Sequence, residues 1–161
     1  KQYGCNFISV MPTNLYGPGD NFNGINSHVP AALLDRFHNA KILNSKEVKV
    51  WGSGNPFREF MHVDDLADAC IFLSKKYSSN EIINIGTGKE ISIRDFAKKI
   101  KHIVGFKGKI IFDRSKPDGT FRKLLCVKKI NSLGWKARIN LDDGLAEYYY
   151  WYKKQLKYLR R

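Results

Sequence analysis

Apolar and polar positions alternate along the chain with the periods of short strands and amphipathic helices. An apolar run over residues 6–11 predicts a strand buried on both faces, as in a parallel sheet. It stops at Pro12, and the Pro, Gly and Asn residues that follow predict a loop over residues 12–27. Apolar residues spaced three and four apart then predict a helix from Val29 to Ala40, with its buried face at Val29, Ala32, Leu33, Phe37 and Ala40.

The middle of the chain continues this alternation. Val48–Trp51 is predicted to be a short strand that ends in a Gly/Pro loop, and Phe57–Val63 a second extended stretch. Asp64 or Asp65 is expected to cap a helix that buries Leu66, Ala69, Cys70 and Leu73. Ile82–Gly86 then reads as another buried strand.

The last third begins with a capping-box pattern, Ser92 followed by Asp95. The helix it starts is expected to bury Ile93, Phe96, Ala97, Ile100 and Val104. Lys109–Asp113 is predicted to be a strand, Ser115–Gly119 a turn, and Leu141 the start of a closing helix whose aromatic residues pack in the core and at its rim. Strands alternating with helices indicate the α/β class.

Length and composition suit a globular domain with its own core. The chain has 161 residues, 43% of them hydrophobic, and no apolar run approaches the ~20 residues that span a bilayer. Lys1–Gly4 is not followed by the apolar region of a signal peptide. Since the chain does not begin with Met, and opens on what looks like a helix end running into a strand, we expect it to be an excerpt of a longer one.

The cysteines and the net charge narrow the possible partners. Cys5, Cys70 and Cys126 are widely spaced among apolar neighbours, so we expect buried, reduced thiols in a cytoplasmic protein and no metal site. A net charge of +13 fits either a nucleic-acid-binding protein or an enzyme with an anionic small-molecule substrate. The lysines are spread along solvated helix faces, which favours the small molecule.

Four basic residues are candidates for binding an anion: Arg36, Arg58, Arg122 and Lys123. Guanidinium groups arriving from different segments suit a pyrophosphate, because each can bind it in a bidentate manner. Gly86-Thr87-Gly88 follows a strand and precedes a helix, yet lacks the third glycine and the later acidic residue of a dinucleotide fingerprint. We therefore interpret it as a turn that lets the chain pass close to the sheet.

His28 is the candidate for proton transfer. It stands at a predicted helix N-terminus, where the helix dipole disfavours the cationic form and so suits a group exchanging a proton near neutral pH. A structural or merely exposed histidine is the alternative. His38 is expected to be exposed on its helix, and His62 and His102 have no such context.

Several runs together resemble the GDP-L-fucose synthases, a family of extended short-chain dehydrogenase/reductases. The resemblance covers nearly the whole chain and rests on these segments: Met11–Pro18, Asp20–Phe22 and Asn26–Val29; Val50–Gly54; Arg58–Phe60 with His62–Asp65; Asn84–Gly88; and Ser115–Thr120 with Arg122–Lys123. It implies the last strands of a Rossmann-type NADP-binding sheet plus a smaller α/β substrate-binding domain. Residues 1–161 would then be the C-terminal portion of such an epimerase/dehydratase-type domain.

The resemblance also implies roles for particular residues. Pro12, Thr13, Asn14 and Leu15 would line the nicotinamide end of NADP, and His28 would touch the cofactor and act as the acid in epimerisation. The GDP-sugar would be held by Arg36, Trp51, Arg58, Arg122 and Lys123. The family epimerises C3 and C5 of GDP-4-keto-6-deoxy-D-mannose and then reduces C4 with hydride from NADPH, which supplies the hard chemistry.

By the same resemblance, the catalytic serine, the cysteine base and the Tyr-x-x-x-Lys couple belong upstream of Lys1, so we expect the chain alone to be inactive. The resemblance also implies that the complete protein is a cytoplasmic homodimer with no nucleic-acid or membrane partner. Three alternatives stay open: an epimerase for another GDP- or dTDP-sugar, a non-catalytic sugar-nucleotide-binding module, and a basic nucleic-acid-binding protein.

Overall fold

Five helices and nine short strands make up the computed structural model of the chain, which describes residues 2–23 and 27–158. The helices are α1 (Val29–Ile42), α2 (Val63–Lys76), α3 (Ile93–Val104), α4 (Lys128–Ser132) and α5 (Leu141–Gln155). The strands are β1 (Val10–Pro12), β2 (Asn14–Tyr16), β3 (Glu47–Trp51), β4 (Phe57–Arg58), β5 (Phe60–His62), β6 (Ile83–Ile85), β7 (Ile91–Ser92), β8 (Lys109–Asp113) and β9 (Arg122–Lys123). The predicted α/β class is confirmed. Residues 24–26 of the predicted loop lie outside the described residues.

Most strand pairs are parallel, as the alternation of strands and helices predicts. β1 pairs with β6, β2 with β5 and β3 with β8, all in parallel. β4 lies between β7, which is antiparallel to it, and β9, which is parallel. Strand β2, within the predicted loop, was not expected. It forms because its three residues run beside β5 in register.

Two hydrophobic cores meet at the β2–β5 pair. Tyr16 and Phe60 belong to the core that includes α1, α3 and α5. Met61 belongs to the second core, formed around α2, β6 and α4, and Leu15 packs against it. Successive side chains of a strand point to opposite faces, so neighbouring residues of one strand serve different cores. This pair of strands is therefore the seam of the molecule.

Two helix starts show how capping works here. Ser92 caps α3 as predicted: its Oγ accepts from the Asp95 amide at 3.0 Å and donates to the Asp95 carboxylate at 2.7 Å. Helix α2 is capped by His62, whose ring accepts from the Asp64 amide, so the prediction of an aspartate cap was wrong. Asp65 is buried and instead accepts from two backbone amides just before α5, those of residues 138 and 139.

Several burial predictions were wrong for identifiable reasons. All three cysteines are exposed, and Cys70 lies on the outer face of α2 beside exposed Ile71. In the predicted strand over residues 6–11, Phe7 is 83% exposed and Met11 is exposed, because β1 has one strand partner among the described residues. His38 is buried, with its Nδ1 3.0 Å from the Tyr149 hydroxyl.

The aromatic residues of α5 behave as predicted. Tyr148, Tyr149 and Tyr152 are buried in the larger core, whereas Tyr150 is exposed. In the part of the chain that the structure describes, no helix combines the length and apolar character needed to cross a membrane.

Candidate functional site

A cavity of about 460 Å³ opens at the seam between the two cores. Thr13, Asn14 and Leu15 line it from the β2 side, and His28 and Arg58 line it from α1 and β4. Five of the residues predicted for cofactor, proton transfer or substrate thus share one cavity. Pro12 is not among its lining residues and lies exposed at the end of β1.

The loop after β2 forms a wall of this cavity and is fixed to its surroundings. Gly17 has φ of +144°, and a Cβ there would lie 2.7 Å from a Val63 methyl group, so only glycine lets the loop approach α2 so closely. The Tyr148 hydroxyl donates to the Asp20 carboxylate at 2.9 Å, and Phe22 is buried against α5. Burial, and then the neighbouring Asp20 charge, raise the pKa of Tyr148, so this hydroxyl stays a donor.

His28 caps α1 with its side chain exposed at the cavity and without a capping hydrogen bond. The imidazole therefore makes no hydrogen bond to the first backbone amides of α1. The position at a helix N-terminus agrees with the prediction.

A second cluster surrounds Trp51, whose side chain is 60% exposed at the end of β3. The Arg36 guanidinium lies 5.1 Å from the centre of its indole ring and donates to the Lys49 carbonyl at 3.4 Å. The Lys116 ammonium lies 5.8 Å from the same ring. Two cations beside one exposed indole create a surface that combines positive charge with a flat aromatic face.

The turn that carries Lys116 is anchored next to Trp51. Asp118 accepts from the Ser53 amide at 2.6 Å and from the Ser53 hydroxyl at 2.7 Å. These hydrogen bonds hold the pKa of the Asp118 carboxyl below its usual range. The turn over residues 115–119, a candidate for chemistry from the sequence, thus has a defined position, and its contact between Lys116 and Trp51 was not predicted.

Arg122 and Lys123 form β9, beside the strand that carries Arg58. The register pairs Arg58 with Lys123 and Phe57 with Arg122. Lys123 is exposed, whereas the Arg122 Nε donates to the Glu90 carboxylate at 2.8 Å, which raises the pKa of Arg122. The structure therefore places Lys123 beside Arg58 and gives Arg122 an internal partner.

The Gly86-Thr87-Gly88 turn does pass close to a neighbouring segment, as predicted, and what it holds is a carboxylate of this chain. Glu59 is completely buried, and its Oε1 accepts from the backbone amides of Thr87 and Gly88. Sequence reasoning missed Glu59. The signal available was an acidic residue between a candidate anion-binding arginine and an apolar strand residue.

The burial and the capping role of His62 were also not predicted from the sequence. It is fully buried, and its Nε2 has no hydrogen-bond partner among the described residues. Ligand atoms of His62, Asp64 and Glu147 lie within 4.8 Å of one another, but both acids are exposed and the His62 Nδ1 already accepts from the Asp64 amide.

Two Tyr-x-x-x-Lys spacings occur in the chain, Tyr149 with Lys153 and Tyr150 with Lys154, and both lie on α5. Each ammonium rests on its tyrosine ring, at 5.0 and 4.3 Å from the ring centre. Neither tyrosine lines the cavity at the seam. These spacings are side-chain pairs within α5, one on a buried and one on an exposed tyrosine, and they do not supply a ketone-polarising couple to the cavity.

Known proteins share this fold and sequence. The NAD dependent epimerase/dehydratase family matches residues 1–86. GDP-L-fucose synthase 1 of Arabidopsis thaliana is 56% identical over 155 residues, which is 96% of this chain and 48% of that protein. A GDP-L-fucose synthetase from Naegleria fowleri, solved bound to NADP, has a TM-score of 0.91 at 32% identity and covers 96% of this chain and 49% of its own.

A GDP-6-OMe-4-keto-L-xylo-heptose reductase from C. jejuni has a TM-score of 0.90 at 39% identity, over 96% of this chain and 56% of its own. The fold, the cavity at the seam and these matches define the class: the chain belongs to the NAD dependent epimerase/dehydratase family. The chain spans about half the length of the relatives it matches.

Proposed function

We propose that this chain provides the GDP-sugar site, and one wall of the nicotinamide site, of an enzyme that makes GDP-L-fucose. The observation that carries the proposal is that cations are grouped in two places: Arg36 and Lys116 lie on Trp51, and Arg58, which lines the cavity, lies beside Lys123. The 56% identity to a GDP-L-fucose synthase supports the choice of substrate.

The chemistry of a nucleoside diphosphate suits these groups. Its phosphates need cations that donate hydrogen bonds, and arginine offers a planar fork of donors whereas lysine offers a compact charge. Arg58, half-buried in the cavity wall, is the arginine placed to bind phosphate with little competition from water. The exposed indole face of Trp51 offers a stacking surface for a base.

NADPH fits one wall of the cavity. Thr13, Asn14 and Leu15 line that wall, and together with Pro12 at the exposed end of β1 they would hold the nicotinamide end. When bound, the cofactor supplies a hydride for C4 of the sugar. His28, exposed at the same cavity, would donate a proton during epimerisation at C3 and C5, where the 4-keto group makes the protons acidic.

Residues 1–161 would form the C-terminal portion of an epimerase/dehydratase-type domain. The serine, the cysteine base and the Tyr-x-x-x-Lys couple that the family resemblance requires have no counterpart among the residues that line the cavity. We therefore propose that the purified chain binds GDP-sugars but does not catalyse reduction alone. In the complete protein we propose a cytoplasmic homodimer without nucleic-acid or membrane partners.

The test is calorimetric titration of the purified chain with GDP and, separately, with dTDP. We expect GDP to bind at least tenfold more tightly than dTDP. Equal affinity for the two would favour another sugar-nucleotide enzyme. No binding of either, together with strongly salt-dependent binding of RNA or DNA, would overturn the proposal in favour of a nucleic-acid-binding protein.

One alternative substrate has an observation in its favour. The C. jejuni structure shows that a similar fold is used by a reductase acting on a different GDP-sugar. Both enzymes would bind GDP, so the distinction lies in the sugar. GDP-L-fucose, as the product, should compete with GDP for the chain more strongly than GDP-mannose does.

A further inference from the structure

Glu59 is a completely buried carboxylate that accepts hydrogen bonds from three backbone amides. Its Oε1 accepts from the amides of Thr87 and Gly88 at 2.6 and 2.7 Å and from the Thr87 hydroxyl at 3.2 Å. Its Oε2 accepts from the Leu125 amide at 3.0 Å. A buried charge persists in a protein only when it is paired or fully hydrogen-bonded, and these four donors meet that requirement.

The turn after β6 is shaped around this carboxylate. Consecutive backbone amides that point to one place form a concave site for an anion. A Cβ on Gly86 would collide with the Glu59 Oε1, so glycine is needed for the carboxylate to enter. The glycine-bearing turn thus binds an anionic group that belongs to the chain itself.

The backbone of Glu59 reaches the cavity at the seam. Its carbonyl oxygen accepts from the Thr13 hydroxyl at 3.2 Å and from the Asn14 side-chain amide at 2.8 Å. Both donors line the cavity, and Arg58, which precedes Glu59, lines it as well. One residue therefore contacts the wall proposed for the cofactor and adjoins an arginine proposed for the substrate.

The side chain of Glu59 also fixes the segment that carries Lys123. Leu125, whose amide it binds, lies two residues beyond the end of β9. β9 has two residues, and among the described residues its strand partner is β4. The Arg122–Glu90 ion pair and the Phe57 amide on the Phe121 carbonyl hold the start of this segment, and the Glu59–Leu125 hydrogen bond holds the side beyond Lys123.

We propose that Glu59 is a positioning residue of the GDP-sugar site: it holds Lys123 against Arg58 so that both cations meet one diphosphate. This inference rests on the proposed function. Glu59 itself does not touch the ligand, because its carboxylate is enclosed by residues 87, 88 and 125.

Glu59→Gln tests the proposal with little change in size. The amide oxygen of glutamine can still accept from Thr87 and Gly88, but its NH₂ group faces the Leu125 amide, and two donors cannot bond to each other. We expect GDP affinity to fall roughly tenfold, the size typical of one lost charge-assisted contact. Circular dichroism of the same samples verifies that the variant is folded.

A double-mutant cycle separates positioning from general destabilisation. If Glu59 acts through Lys123, Glu59→Gln combined with Lys123→Ala should bind GDP within threefold of Lys123→Ala alone. In the matched cycle, Glu59→Gln combined with Arg36→Ala should show the product of the two single effects, because Arg36 lies on α1 beside Trp51.

Gly86→Ala probes the same contact from the other side, because its methyl group would displace the Glu59 carboxylate. Combined with Lys123→Ala and with Arg36→Ala, Gly86→Ala should give the same coupling as Glu59→Gln. It also serves as the test if Glu59→Gln does not fold. Unchanged GDP affinity in the folded variants, or independent effects in the Lys123 cycle, would overturn the inference. If Arg36→Ala and Lys123→Ala both leave GDP affinity unchanged, the proposed function fails and the inference with it.

Discussion

At the scale of single residues, the site depends on cations whose surroundings differ. Arg58 is half-buried in a cavity, Arg36 lies on an aromatic ring, and Arg122 is paired with Glu90 at the surface. A charge-assisted hydrogen bond contributes more where water is excluded. Arg58 should therefore contribute most to ligand binding and Arg122 least.

Arg58→Ala is expected to weaken GDP binding by roughly 10- to 150-fold, from the ~1.5–3 kcal/mol of a hydrogen bond to a charged group. Lys76→Ala is the control, since it removes the same charge from the exposed end of α2. Calorimetry measures both affinities. An Arg58 variant that binds as tightly as the Lys76 variant would contradict this role.

At the scale of elements, helix α3 has the clearest local sequence signals for its start and for its buried face. Ser92 caps it, Asp95 completes the capping box, and four of the five predicted apolar positions are fully buried: Phe96, Ala97, Ile100 and Val104. The helix packs against α1 and α5, so its start also sets how the larger core closes.

Ser92→Ala should lower the free energy of unfolding by about 1 kcal/mol, the usual cost of losing an N-cap hydrogen bond. Ser74→Ala, at an exposed position in α2 where the hydroxyl donates to the Ile71 carbonyl, should change it by less than about 0.5 kcal/mol. Urea unfolding of both variants gives the comparison. Similar losses in the two would argue against the capping role.

The sequence predicted features that depend on neighbouring residues and missed features that depend on residues far apart in the chain. Helix α3 was predicted because its cap and its apolar spacing lie within a few residues. Glu59 was missed because the amides that bind it come from residues 28 to 66 positions away in sequence. Cys70 was misplaced because apolar Ile71 and Phe72 beside it do not reveal which face of α2 the thiol occupies.

The same reasoning applies to the candidate site. Thr13, Asn14, Leu15, His28 and Arg58 were named from sequence, and the structure brings them to one cavity. The contact of Lys116 with Trp51 could not be predicted, because it depends on where Asp118 anchors its turn 65 residues along the chain from Ser53. Arg122 was expected to face the ligand, but no local pattern indicated its pairing with Glu90.

At the scale of the whole molecule, two cores meet along β2 and β5, and the cavity opens at their junction. The loop that follows β2 joins the cavity wall proposed for the nicotinamide to the helix that begins after His28. The net charge of the chain is +13, and Arg58 brings one of its cations to the cavity at this junction. Under the proposed function, the partner of this positive charge would be an anionic nucleotide sugar.

The most direct test of this account is an NMR titration of the ¹⁵N-labelled chain with GDP, following the three tryptophan indole signals. Trp51 is exposed beside Arg36, Trp135 is buried against α2, and Trp151 lies on α5. The account predicts that the Trp51 indole signal shifts in a saturable manner while the signals of Trp135 and Trp151 stay in place. Binding that leaves Trp51 unchanged, or that moves Trp135 or Trp151 instead, would contradict it.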